Sequence, residues 1–163
     1  MRTFKILIPF ICILAVFGAT LNAAIGGETI EGPAKVVDGQ TLTVAGRTMR
    51  LHGVLAPPKD LICHTKHDKP YKCGWLAVKA LVDMVMGQRL KCTLAPAPGD
   101  VNDPPSAICY VGPFLINHQL LLTGRVVAVA SAGADYKRAE NGARSLNEGL
   151  WKGRFPPPSE WKR

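Results

Sequence analysis

The stretch AKVVDGQTLTVAGRTMRLHGV, residues 34–54, decides the fold. It holds three runs of strand-favouring residues: Lys35-Val36-Val37, Leu42-Thr43-Val44, and the alternating run from Thr48 to Val54. Asp38-Gly39 is a turn pair suited to reversing the chain between strands, and Ala45-Gly46-Arg47 supplies the second reversal. Successive side chains of a strand point to opposite faces. Met49 and Leu51 therefore share one face of the third run, and Arg50 and His52 share the other. The stretch reads as a meander that turns Arg50 outward, where a ligand can reach it.

Working outward from the meander, residues 57–72 read as an irregular basic loop with Lys59, Lys66, Lys69, Lys72 and Tyr71. Residues 74–88 read as a helix, with Trp75, Val78, Leu81, Val82 and Val85 at core spacing and Gly87 as its stop. Leu90 to Leu94 and Ala107 to Val111 are two further strand candidates, joined by a segment rich in Pro, Gly and Asp. A second helix is expected over 114–123, ended by Gly124, and a short strand over 126–130. The last helix is expected over about 136–151, with Ala139, Ala143, Leu146 and Leu150 on one stripe. Pro156 to Pro158 pin the chain end, the competing reading being a polyproline ligand. Five strands with one helix before the fourth and two helices after the fifth define an α+β protein. The expected architecture is a five-stranded OB-type Greek-key β-barrel with about three α-helices.

The first 23 residues read as a secretory signal peptide. Arg2 and Lys5 form a short basic region, Ile6 to Leu21 is almost wholly apolar, and Leu21-Asn22-Ala23 ends in a small residue. That apolar run is shorter than the ~20 residues needed to cross a bilayer comfortably. Cleavage after Ala23 is therefore expected, with a retained anchor as the alternative. A single domain over residues 24–163 follows, exported to the periplasm or secreted. The chain carries a formal charge of +8, and the signal segment contains no acid, so the remainder stays basic. Such a balance favours anionic partners: nucleic acid, phospholipid head groups or acidic polysaccharide.

Beyond the signal segment lie Cys63, Cys73, Cys92 and Cys109. An even number of cysteines in an exported chain implies disulfides. Three connectivities are possible, of which Cys63–Cys73 with Cys92–Cys109 is the most local. Each bridge is expected to contribute roughly 2–4 kcal/mol by restricting the unfolded chain. A zinc site on Cys63, His64, His67 and Cys73 is the competing reading, but it lacks the paired ligand spacings of established sites. The disulfide is expected, with His64 and His67 at the surface and no cofactor.

Val37-Asp38-Gly39-Gln40-Thr41 and Arg50-Leu51-His52-Gly53-Val54-Leu55-Ala56-Pro57-Pro58 resemble two motifs of the thermonuclease (staphylococcal-nuclease-like) family. Its members read D-G-D-T and then R-L-x-G-I-D-A-P-E. Cys73-Gly74-Trp75-Leu76-Ala77 and the tail Gly149-Leu150-Trp151-Lys152-Gly153 are similar to exported members, as is the local disulfide pattern. The resemblance runs from about Ala34 to Trp161 and implies the same OB-type barrel. In the family, the second Asp of the first motif and the Asp of the second bind calcium, and the Glu activates the attacking water. Those positions hold Gln40, Leu55 and Pro58. The family's second phosphate-clamping arginine corresponds to Pro104, within Asn102-Asp103-Pro104-Pro105.

Calcium needs six to eight hard oxygen ligands, and Leu55 offers none. One pair of unit charges at ~4 Å is worth on the order of 4 kcal/mol at an effective dielectric near 20. Losing a positioned base such as the family's Glu costs about 10²–10⁴ in rate. The resemblance therefore implies a frame without its nuclease chemistry. Asp38, Gly39 and Thr41 are turn residues in this reading. Arg50 is either a surviving phosphate contact, through its rigid fork of donors, or an ordinary residue on a polar strand face. Arg50 with Lys59, Lys66, Lys69 and Lys72 is the expected anion-binding set, and a polyanion or an envelope protein the expected partner. Because some proteobacterial members are associated with exopolysaccharide (succinoglycan) biosynthesis, an accessory role there is the leading expectation. The alternative is an active phosphodiesterase using Asp38 with Asp60 or Asp103, and His52 as base.

Overall fold

The computed structural model describes residues 27–95 and 104–161. The signal segment, its cleavage point, and Asn102 and Asp103 lie outside the described residues. The chain opens with β1 (Thr29–Val36), β2 (Thr41–Val44), β3 (Arg47–Leu51) and a short β4 (Val54–Leu55). A hairpin of β5 (Ile62–Thr65) and β6 (Pro70–Lys72) leads into α1 (Cys73–Val85). Then come β7 (Arg89–Leu94), β8 (Ser106–Val111), β9 (Phe114–Leu115), α2 (Ile116–Leu122), β10 (Val127–Ala128) and α3 (Ala134–Ser145). Two 3₁₀ turns, Gly149–Lys152 and Pro158–Glu160, flank β11 (Gly153–Arg154).

Five strands close into the barrel. Strand β1 is long enough to serve two neighbours: its first half pairs with β7 (Ile30 opposite Cys92) and its second with β2 (Ala34 opposite Val44). Strand β3 joins β2 through a tight turn in which Ala45 and Gly46 both take positive φ, 48° and 82°, as a type I′ hairpin requires. Strand β8 pairs antiparallel with β7 and parallel with β3, Arg50 opposite Ser106 and Leu51 opposite Ala107, which seals the cylinder. The α+β, OB-type barrel expected from the sequence is the fold.

The barrel interior holds Leu42, Val44, Met49, Leu90 and the Cys92–Cys109 disulfide, all at or below 1% exposure. Burying each large aliphatic side chain stabilises the fold by about 1.5–3 kcal/mol. Helix α1 seats Leu81 and Val85 against this core, and α2 seats Ile116, Leu120 and Leu121. A smaller core gathers the Cys63–Cys73 disulfide, Val127, Leu150 and Trp161, with Leu55, Tyr71 and Phe155 against it. It fastens the β5–β6 hairpin and the start of α1 to the C-terminal segment. No helix among the described residues is long and apolar enough to cross a membrane.

Three local expectations are corrected. The segment 57–72 is not wholly irregular, since it contains the β5–β6 hairpin held by the Cys63–Cys73 bridge. Helix α1 ends at Val85, and its buried stripe is Cys73, Ala77, Leu81 and Val85. Trp75 lies two residues from Cys73, about 200° around the helix, and is 46% exposed. The last helix stops at Ser145, where Asn147 takes a left-handed φ of 54°. Glu148 N–H donates to Ala143 O and Asn147 N–H to Arg144 O, which is a Schellman stop with Asn in the usual glycine place. Leu146 consequently leaves the core and is 73% exposed, while Leu150 returns to it from the 3₁₀ turn.

Candidate functional site

The β1–β2 turn builds one wall of an open cavity. Asp38 Oδ1 accepts hydrogen bonds from the backbone N–H of Gln40 and of Thr41, both at 2.8 Å. Such an Asx arrangement fixes the turn from within, so this carboxylate oxygen has a structural occupation. Thr41 faces Arg50 across the β2–β3 ladder, and Leu51 N–H donates to Gln40 O at 2.7 Å. Gln40 and Arg50 are thereby set side by side at the rim of the barrel. The Gln40 side chain, 8% exposed, reaches across the turn, and its Oε1 accepts the Ala56 N–H at 2.6 Å.

The opposite wall runs from Ala56 to Leu61 and rests on the first turn of α1. A side chain at Gly74 would place its Cβ 1.7 Å from Pro58 O, so only glycine permits this approach. At Gly39 a Cβ would lie 2.8 Å from the Cβ of Ala56 and 3.2 Å from that of Ala77. Two glycines thus let the turn, the wall and the helix close on one another. Between them lies a cavity of ≈ 700 Å³ lined by Asp38, Gln40, Arg50, Pro58, Lys59 and Asp60, among others, with Glu160 added by the last 3₁₀ turn.

Of the expected anion-binding set, Arg50 and Lys59 share this cavity, whereas Lys66, Lys69 and Lys72 lie on the β5–β6 hairpin and do not line it. Asp38, Asp60 and Glu160 add three carboxylates to the two cations, so the lining is mixed in sign rather than uniformly basic. Tyr71 is half-buried in the small core. Burial raises its phenol pKa from the usual 10.0, and Arg125 opposes that shift. His52 does not line the cavity; its ring bonds Ser106 Oγ at 3.2 Å and meets Tyr136 edge-on. Glu160 was invisible to sequence reasoning, because only the C-terminal fold-back brings it to Arg50's side of the barrel.

The calcium implied by the thermonuclease resemblance does not fit these residues. Gln40 offers one neutral oxygen in place of a carboxylate, and that oxygen already accepts the Ala56 N–H, while Leu55 packs into the small core instead of lining the cavity. Among the described residues, no group of three His, Cys, Asp or Glu side chains is placed to hold a metal ion. The Cys63–Cys73 bridge takes both cysteines of the competing zinc set, leaving His64 and His67 without thiolate partners.

No family model matches the chain. A relative does. The chain is similar to the succinoglycan biosynthesis protein ExoI of Rhizobium meliloti (strain 1021), with 33% identity over 69 residues. The match spans 42% of this chain and 36% of that protein, so the chain covers little more than a third of its relative's length.

Proposed function

We propose that this protein is an exported, thermonuclease-like module without nuclease catalysis, acting as an accessory in exopolysaccharide biosynthesis through its barrel-rim cavity. The observation that carries the reading is the Gln40 side chain, whose oxygen is committed to Ala56 N–H where the nuclease motif places a calcium ligand. Leu55 and Pro58 remove the other ligand and the base. The two disulfides suit an oxidising compartment outside the cytosol. Similarity to a succinoglycan biosynthesis protein supports the polysaccharide side of the proposal, as does the mixed charge of the cavity. A nucleic acid brings one negative charge per nucleotide, which three carboxylates in the lining oppose. A polysaccharide brings mostly hydroxyl groups, which carboxylates accept well.

The rival reading is a phosphodiesterase with substitute residues, and Asp38, Asp60 and Glu160 in one cavity are what favour it. The deciding experiment is a nuclease assay on the purified, oxidised protein with and without calcium. No cleavage above background is expected on single- or double-stranded DNA or on RNA. Robust cleavage that Arg50→Ala eliminates would overturn the proposal.

A further inference from the structure

Gln40 supports a more specific statement, which rests on the accessory reading just given. A backbone N–H can only donate, so the atom 2.6 Å from Ala56 N must be the amide oxygen. The two Nε2 hydrogens are then directed elsewhere. They have no protein acceptor among the described residues, and the nitrogen is not sealed in the interior. Gln40 lines the cavity and is more than nine-tenths buried, so the recess is where its remaining donors can meet a ligand. Arg50 and Lys59 add cationic donors to the same lining. Asp60 and Glu160 add acceptors. At the motif position that would coordinate a cation, this chain presents hydrogen to whatever enters.

We propose that the cavity is a metal-independent receptor for the carboxylate of an acidic sugar residue. Gln40 Nε2, Arg50 and Lys59 hold the carboxylate, and Asp60 and Glu160 take hydrogen bonds from hydroxyl groups of the same or the adjoining ring. A carboxylate accepts several donors at once, and charge-assisted bonds of this kind are about twice as strong as neutral ones. A phosphate dianion would carry a second charge toward the three lining carboxylates, whereas a uronate carries one charge and several hydroxyls. A cavity of ≈ 700 Å³ lies within the range of small-ligand pockets, roughly 300–1,000 Å³, and admits a sugar ring with part of its neighbour.

The test is calorimetric titration of the oxidised protein, in EDTA and again in calcium, with a short oligoglucuronate and its carboxyl-reduced counterpart. Binding of the acidic form without metal, weakened about 10-fold or more by carboxyl reduction, is the expected result, given the strength of charge-assisted hydrogen bonds. Gln40→Glu keeps an oxygen for Ala56 N–H but replaces the donors with a charge, and it should cost a comparable factor. Lys59→Gln, at an exposed position that folding does not need, should cost several-fold and keeps the test valid if the first variant misfolds. Equal binding of the reduced oligosaccharide, a requirement for calcium, or no binding of either sugar each overturns the proposal. So does inorganic phosphate displacing the uronate more effectively than free glucuronate does. If uronate binds but both variants bind as wild type, the carboxylate sits elsewhere and this subsite falls while the accessory reading survives. Calcium-dependent DNA cleavage removes both.

Discussion

Asn117 reinforces the seam at which the β3–β8 ladder closes the barrel. Fully buried on α2, it donates from Nδ2 to His52 O at 2.9 Å and to Ala107 O at 3.2 Å, and its Oδ1 accepts Cys109 N–H at 3.1 Å. The end of β3 is thus held to β8 beside the seam that closes the barrel. Asn117→Leu fills a similar volume but strands two polar groups, His52 O and Cys109 N–H, since Ala107 O keeps the His52 N–H; each costs about 1–3 kcal/mol when left unsatisfied. Urea unfolding should show a loss of about 2 kcal/mol or more by that reasoning; a loss below about 1 kcal/mol would mean that water replaces the amide. The sequence carried a hint of this role, since one Asn interrupts the apolar face of Ile116, Leu120 and Leu121, but the partners came from elements 8 to 65 residues away. Asp38 was legible because its bonds are local, two and three residues on. Gln40's bond to Ala56 spans the meander and could not be read. Two tyrosines make a separate prediction. Burial raises the phenol pKa of Tyr136, with Tyr110 adding to the effect, and burial raises that of Tyr71. Below the usual 10.0 both are neutral folded or unfolded, so the stability they support is fully present there. As pH rises past that value the unfolded chain gives up protons that the folded chain retains, and stability falls. Thermal midpoints should be flat to about pH 9 and then decline, less steeply in Tyr136→Phe, which lacks one of the titrating groups.

Among the elements, the β5–β6 hairpin and α1 act as one unit, because Cys63 lies in the hairpin and Cys73 begins the helix. The same helix start presses on Pro58 through Gly74, so the bridge also braces the cavity wall. Replacing both Cys63 and Cys73 by Ala should lower stability by about 2–4 kcal/mol. Amide exchange should quicken in Pro58 to Lys72 before the barrel strands are affected. Gly74→Ala should be worse than ordinary overpacking, which costs about 1–3 kcal/mol, since the clash at 1.7 Å is with backbone. Leu146→Ser makes the opposite test: at 73% exposure it should shift stability by no more than about 0.5 kcal/mol, although its spacing suggests a core position. The barrel strands were legible because alternation and turn residues agree from β1 to β3. The face of α1 was not, because Trp75 and Ala77 invite opposite assignments and the i, i+4 stripe of small and aliphatic residues wins. The break after Ser145 was hidden for a physical reason: Asn147 tolerates a left-handed conformation but does not announce it as Gly would.

At the scale of the whole molecule, the formal charge of +8 favours anionic partners, yet among the described residues Arg50 and Lys59 alone supply cationic charge to the cavity. Binding of an acidic polysaccharide should therefore depend weakly on salt, with a log–log slope of about −1 to −2, since each neutralised charge contributes somewhat under one unit. A slope of about −4 would extend the ligand across Lys66, Lys69 and Lys72 as well. The barrel was readable from the sequence as a count of strands and helices, whereas the seam between β3 and β8 was not, because it is written in neither strand alone. That seam has a kinetic consequence. Arg50 and Ser106 meet only after the helix, the hairpin and β7 have been threaded between them, and chains dominated by such distant pairings fold in milliseconds to seconds rather than microseconds. The Cys92–Cys109 bridge joins β7 to β8 directly across the ladder and removes part of that search before it begins. Refolding followed through the buried Trp161 should accordingly be faster for the oxidised chain than for the reduced one, and a chain that meets its oxidant late should linger with β8 unpaired and its edge exposed to other chains.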